Sequence, residues 1–166
     1  MVYVFDTSAF SDIFNYYRPD TFPTLWEKLN QYIAKGIITS VEEAKRELKN
    51  CDEWPEDINA WIQKNKAIFT PPSESEQEFV QELLKSSDGK GLVKQQHIND
   101  GKPQADPWVI AKAHVLGAPV VSMEKRKNET NRRFPRGHSQ IPDVCDRLEI
   151  SCIKLLDFMS NEKWRF

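Results

Sequence analysis

Two acidic residues close apolar runs in distant parts of this chain. Asp6 follows Val2-Tyr3-Val4-Phe5 and precedes Thr7 and Ser8, and Glu124 follows Pro119-Val120-Val121-Ser122-Met123. Runs this short, rich in β-branched and aromatic side chains, read as buried strands. Both carboxylates would then stand at the carboxyl ends of strands, where open parallel α/β sheets place their ligand crevice.

Two further acids sit on helical patterns. In SVEEAKREL, a rotation of about 100° per residue gathers Val41, Ala44 and Leu48 into one apolar stripe. Glu47 falls on the border of that stripe, and its position alone leaves it balanced between a site residue and a solvated helix charge. Glu43 lies nearly opposite. Ser40 followed three residues later by Glu43 is also a capping-box pattern, which predicts a helix-starting role for Glu43. In ADPWVIAKA, Val109, Ile110, Ala113 and Leu116 form the buried stripe, with Asp106 at the head of the same face. Asp106 before Pro107 also reads as an N-cap with proline at the first helical position, a role compatible with presenting an oxygen outward.

Asp6, Glu47, Asp106 and Glu124 gathered around one crevice would repel one another without a cation. Oxygen-only ligands suit Mg²⁺ or Mn²⁺, with waters completing the octahedron. The expected chemistry is hydrolytic, with the ion activating a water.

The elements that must position these acids alternate between strand and helix. Strands are expected over residues 2–5, 37–39, 67–69, 119–123 and 151–154, and helices over 8–17, 24–34, 41–48, 55–62, 75–84, 106–116 and 141–148. Residues 85–104, rich in Gly, Ser and Lys without periodicity, read as a mobile loop. The alternation favours an α/β fold with a central parallel sheet of four to five strands covered on both faces. A length of 166 residues without internal repeat or linker predicts a single domain over 1–166.

Composition narrows the partners. With 23 Lys+Arg against 25 Asp+Glu and a formal net charge of -2, the chain lacks an overall basic field, so an anionic partner must meet a local patch. The densest cationic stretch is EKRKNETNRRFPRGH, directly after Glu124. Placed there, Lys125, Arg126, Lys127, Arg132, Arg133 and Arg136 read as a guide for a phosphate backbone. Cys51, Cys145 and Cys152 form no close pair and no signal peptide precedes them, which fits a reducing cytoplasm. No apolar run approaches the ~20 residues of a membrane-spanning helix, so no membrane contact is expected.

VFDTSAF, SVEEAKREL, ADPWVIAKA and VVSMEK, in this order, resemble the PIN-domain nucleases (PilT N-terminal domain) over nearly the whole chain. More closely, ADPWVIAKAHVLGAPVVSMEK followed by IPDVC is similar to the PIN-like group DUF4411. The resemblance implies a three-layer α/β/α sandwich and a metal-dependent endoribonuclease acting on single-stranded RNA. It carries metal-binding and catalytic positions onto Asp6, Glu47, Asp106 and Glu124, and the small hydroxyl position beside the first aspartate onto Ser8, a substrate-binding candidate. It further implies products with a 5′-phosphate and a 3′-hydroxyl, a toxin role restrained by an antitoxin protein, and room for a homodimer.

At the fourth acid the family pattern has an aspartate in T-x-D, where this chain has Ser122-Met123-Glu124. The extra methylene moves the carboxylate outward by a bond length, so a water-bridged contact to the ion is expected, with Asp143 as the reserve candidate. That departure also supports a rival reading, a non-catalytic PIN-like module that binds RNA or protein.

Other chemistries lack their residues. Asp6-Thr7-Ser8 has no second aspartate of a phosphatase D-x-D, and no glycine-rich nucleotide motif occurs. His97, His114 and His138 show no zinc spacing. The position after the third strand, where a receiver domain would carry its phosphoacceptor, is Thr70-Pro71-Pro72. The five tryptophans are scattered and read as core fillers, with base stacking by Trp108 the minority reading.

Overall fold

The structure, a computed structural model, describes residues 1–50, 54–93, 104–127 and 139–166. Among them the strands are β1 (Tyr3–Phe5), β2 (Ile38–Val41), β3 (Phe69–Thr70), β4 (Val120–Val121) and β5 (Cys152–Ile153). The helices are α1 (Thr7–Tyr16), α2 (Pro23–Ala34), α3 (Glu42–Lys49), α4 (Glu56–Lys64), α5 (Glu74–Lys85), α6 (Asp106–Leu116), α7 (Ile141–Arg147) and α8 (Leu155–Asn161). A short 3₁₀ turn, Lys66–Ile68, leads into β3.

All strand pairs are parallel, in the order β3-β2-β1-β4-β5. The first strand is therefore the middle one. The chain lays β2 and β3 on one side of β1, then returns to build β4 and β5 on the other. This reversal makes the gap between the carboxyl ends of β1 and β4 a topological switch point, where open α/β sheets bind ligands. Register aligns the two ends, since Phe5 pairs with Val121.

Val4, Phe5, Val120 and Val121 are wholly buried, as expected of central strands covered on both faces. An aromatic cluster seats α1. Phe14 stacks on Trp26 of α2 at 6.0 Å and meets Trp61 of α4 edge-on at 5.5 Å, while Phe10 packs 5.4 Å from Phe5. Rings in these offset geometries each add to the energy of their buried area, and they hold the start of α1 over the end of β1.

The observed boundaries differ from the expected ones at element ends. The run 119–123 keeps only two strand residues, although Pro119 still accepts from Val4 N at 3.0 Å and Ser122 N donates to Ile153 O at 3.1 Å. β3 lies later than 67–69 because residues 66–68 tighten into the 3₁₀ turn. α8 was not anticipated, although Leu155, Phe158 and Met159 carry its helical spacing and are buried. Of the segment 85–104, residues 86–93 form turns, with Leu92 buried and Gly91 O accepting from Ser139 N at 2.9 Å. Residues 94–103 lie outside the described residues.

Trp26, Trp61 and Trp164 are buried, and Trp54 and Trp108 pack against the core. His114 stacks on Phe79 at 4.1 Å, an ordinary packing role. Cys145 and Cys152 are free thiols. Cys51, His97 and His138 lie outside the described residues. No helix among the described residues is long and apolar enough to cross a membrane.

Candidate active site

Asp6 is the N-cap of α1, with extended backbone, and is 3% exposed. Its Oδ2 accepts from Ser8 N at 3.2 Å, Ser8 Oγ at 2.5 Å and Ser122 Oγ at 3.2 Å. Each hydroxyl also accepts a backbone N–H from the segment leaving β4: Ser8 Oγ from Met123 N at 2.9 Å, and Ser122 Oγ from Glu124 N at 3.2 Å. The carboxylate thereby holds the exits of β1 and β4 together. Burial raises the Asp6 carboxyl above its ordinary value of 3.8, against the lowering effect of these donors.

Glu47 spans three elements. Its Oε2 accepts from Thr7 Oγ1 at 2.5 Å, and its Oε1 from Ala105 N at 2.9 Å. Burial raises its pKa as well, opposed by these two donors and reinforced by the charges of Asp6 and Glu43. Among the described residues no Lys or Arg forms an ion pair with Asp6 or Glu47.

Asp106 directly follows Ala105, whose N–H donates to Glu47. Asp106 is the first residue of α6 and does not cap it as expected. Ala105 takes the N-cap position without a side-chain cap bond, and Pro107 follows Asp106 in the first turn. Asp106 is half-buried and makes its own polar contacts.

Glu43 departs furthest from expectation. Ser40 does not cap α3. It belongs to β2, is fully buried, and donates to Phe5 O at 2.6 Å, while Val41 is the N-cap. Glu43 is buried at 9% exposure, so the face opposite its apolar stripe also lies against protein, and α3 packs against both α1 and β3.

The carboxylate of Glu124 turns to the start of α7. Its Oε2 accepts from Ile141 N at 2.8 Å, and the Gln140 amide, with its nitrogen facing the carboxylate, donates to Oε1 at 3.1 Å. Lys154 Nζ donates to the Glu124 carbonyl. Asp143 accepts from Gln140 N and from Lys127 N, both at 2.9 Å, and so closes the same helix start. Arg126 grips Asp146 with two bonds of 2.8 and 3.0 Å, which lowers the Asp146 carboxyl. Lys125 and Lys127 are exposed. Arg132, Arg133 and Arg136 lie outside the described residues.

The donor set fits a hard divalent cation. A buried carboxylate, Asp6, and a half-buried one, Glu47, both resisting ionisation and without a basic partner among the described residues, supply oxygen alone. Mg²⁺ is commonly held by one or two carboxylates, with waters and substrate phosphates filling its shell. Among the described residues no group of three or more His, Cys, Asp and Glu side chains converges to hold an ion unaided. Asp6 and Glu47 would hold it with waters.

The model of the family described as Domain of unknown function (DUF4411) matches residues 3–166. The chain belongs to the DUF4411 family. No curated protein matches it. Among solved structures, this DUF4411 chain is similar to a chain of VapBC2 from Rickettsia felis bound to a DNA fragment from their promoter, with a TM-score of 0.49 and 12% identity, covering 93% of this chain and 98% of that one.

Three contributors to this DUF4411 site were not singled out from sequence: the Thr7 hydroxyl, the Ser122 hydroxyl and the Ala105 N–H. The signal for the hydroxyls was present, since Thr7 directly follows Asp6 at the end of β1 and Ser122 directly follows β4. The Ala105 contribution is a backbone direction that no residue type announces.

Proposed function

We propose that this chain is a metal-dependent endoribonuclease of PIN type that hydrolyses phosphodiester bonds in single-stranded RNA. The observation that carries the reading is the Asp6–Glu47 pair: a buried carboxylate at the topological switch point and a half-buried, like-charged one beside it, with no basic side chain of the described residues to neutralise them.

Asp6 and Glu47 would hold the ion, with Asp106 beside them at the head of α6. Ser8 and Ser122 fix the orientation of the Asp6 carboxylate, and Thr7 with Ala105 N–H fixes that of Glu47, so neither acid reorganises when substrate arrives. Mg²⁺ or Mn²⁺ bound there supplies activation of water and neutralisation of charge developing on the leaving oxygen. Glu124, seated on α7, would reach the site through water. Lys125 and Lys127, with Arg132, Arg133 and Arg136 farther along, would offer positive charge to the RNA backbone next to the crevice. Products with a 5′-phosphate and 3′-hydroxyl, a toxin role and an antitoxin partner are carried by the resemblance of VFDTSAF, SVEEAKREL and ADPWVIAKA to PIN-domain nucleases.

The test is incubation of the purified protein with end-labelled single-stranded RNA in Mg²⁺ or Mn²⁺. Cleavage is expected, and EDTA or Asp6→Asn should abolish it. Cleavage undiminished in excess chelator would overturn the mechanism.

A further inference from the structure

Glu43 stands one helical turn before Glu47 on α3, and its Oε2 is enclosed with no hydrogen-bond partner among the described residues. Oε1 lies 3.8 Å from Arg46 Nη1, beyond hydrogen-bond reach, and that exposed guanidinium turns its other nitrogen to Glu42 at 3.2 Å. An enclosed carboxylate oxygen without a donor is costly, and such atoms in a folded protein call for an explanation. Glu42, its neighbour, has an exposed ion pair and needs none.

The surroundings narrow the occupant. The charge of Glu43 repels that of Glu47, so the two acids share one electrostatic neighbourhood. α3 packs against β3, whose Thr70 pairs with Val41, and Thr70 Oγ1 is likewise enclosed and without a hydrogen-bond partner among the described residues. Glu43, in the first turn of α3 just past the end of β2, and Thr70, at the end of β3, thus leave two enclosed oxygens beside the carboxyl ends of neighbouring strands, which favours a polar occupant on the β3 side of the crevice. Glu43 does not close a three-acid cage with Asp6 and Glu47, so a contact with an ion there would pass through water. Water bound to a divalent cation is a strong donor, and Mg²⁺ keeps several of its waters when protein binds it.

We propose that Glu43 is a positioning residue for the cation site centred on Asp6 and Glu47, its Oε2 accepting a hydrogen bond from a water of the ion's hydration shell. The inference rests on the reading of that site as a divalent-cation site. Groups in this outer position typically change metal affinity by about 10- to 100-fold.

The experiment is calorimetric titration of the full chain with MnCl₂, alongside melting temperatures in chelator and in Mn²⁺. Glu43→Gln is expected to weaken Mn²⁺ binding about 10-fold or more and to shrink the Mn²⁺-induced rise in melting temperature, leaving the chelated melting temperature unchanged or higher. Glu43→Asp, which keeps the charge and shortens the reach, should fold as the parent does and still lose Mn²⁺ affinity. Glu42→Gln should match the parent. Parental affinity in both Glu43 variants would overturn this inference alone. A parent that binds no Mn²⁺ would overturn the cation reading and this inference with it.

Discussion

Thr7 Oγ1 donates to Glu47 Oε2 across 2.5 Å and so joins the first residue of α1 to the last turn of α3. The bond crosses from the element that carries Asp6 to the one that carries Glu47. It sets the spacing of the two carboxylates on which a shared ion would depend.

Thr7→Val keeps the side-chain shape and removes the donor. It should lower stability by about 1 kcal/mol, the cost of leaving a half-buried acceptor short of a partner. It should also reduce RNA cleavage while Thr7→Ser restores it. Denaturant melts and initial rates of the two variants give the comparison, and equal rates for both would separate this bond from catalysis.

The pH dependence of stability follows from burial. Asp6 and Glu47 hold their protons above the ordinary values of 3.8 and 4.5. A carboxyl with a higher pKa in the folded chain than in the unfolded one stabilises fully below its ordinary value, and that contribution is lost as pH rises through the folded value. In chelator, Asp6→Asn should therefore gain on the parent in melting temperature between acid below 3.8 and neutrality. Divalent cation should close the gap by stabilising the parent. A constant difference across pH would show that Asp6 titrates as it does when unfolded.

Glu124 and Asp143 both seat the start of α7, yet they should separate in function. Asp143→Asn should cost about 0.5–2 kcal/mol as a lost cap contact and leave metal dependence alone. Glu124→Gln should raise the Mn²⁺ concentration for half-maximal cleavage by less than Asp106→Asn does. Equal shifts from Glu124→Gln and Asp106→Asn would argue for direct ligation by Glu124.

Arg126 is engaged with Asp146, so the segment's RNA contacts are best tested farther along. Replacing Arg132, Arg133 and Arg136 with Ala in an Asp6→Asn background should weaken RNA binding irrespective of sequence. The salt dependence should flatten by about 0.7 per lost phosphate contact. Parallel salt slopes with unchanged affinity would assign these arginines to solvent.

The parallel α/β class was legible because Val4, Phe5, Val120 and Val121 form apolar runs that only doubly covered strands require. Asp6 was legible for the same reason, as a charge interrupting such a run. Glu43 was misread because helical periodicity reports the face against the main core and is silent about a second packed face. Ser40 was misread because its hydroxyl found a strand carbonyl before it could find a helix N–H. The seat of Glu124 on Ile141 N could not be read at all, since it depends on where a backbone amide 17 positions away comes to rest. The distant arginines remain a sequence argument, resting on charge density after Glu124.

The central position of the first strand has a consequence for the order in which the molecule matures. Asp6 is made before Ser122, which completes its hydroxyl cradle 116 positions later in the chain. Until the segment carrying β4 emerges, β1 has a neighbour on one side only, and Asp6 lacks both that hydroxyl and the wall of its crevice. Contacts this distant in sequence form late in folding. The Asp6 site is therefore complete only when the return strand docks.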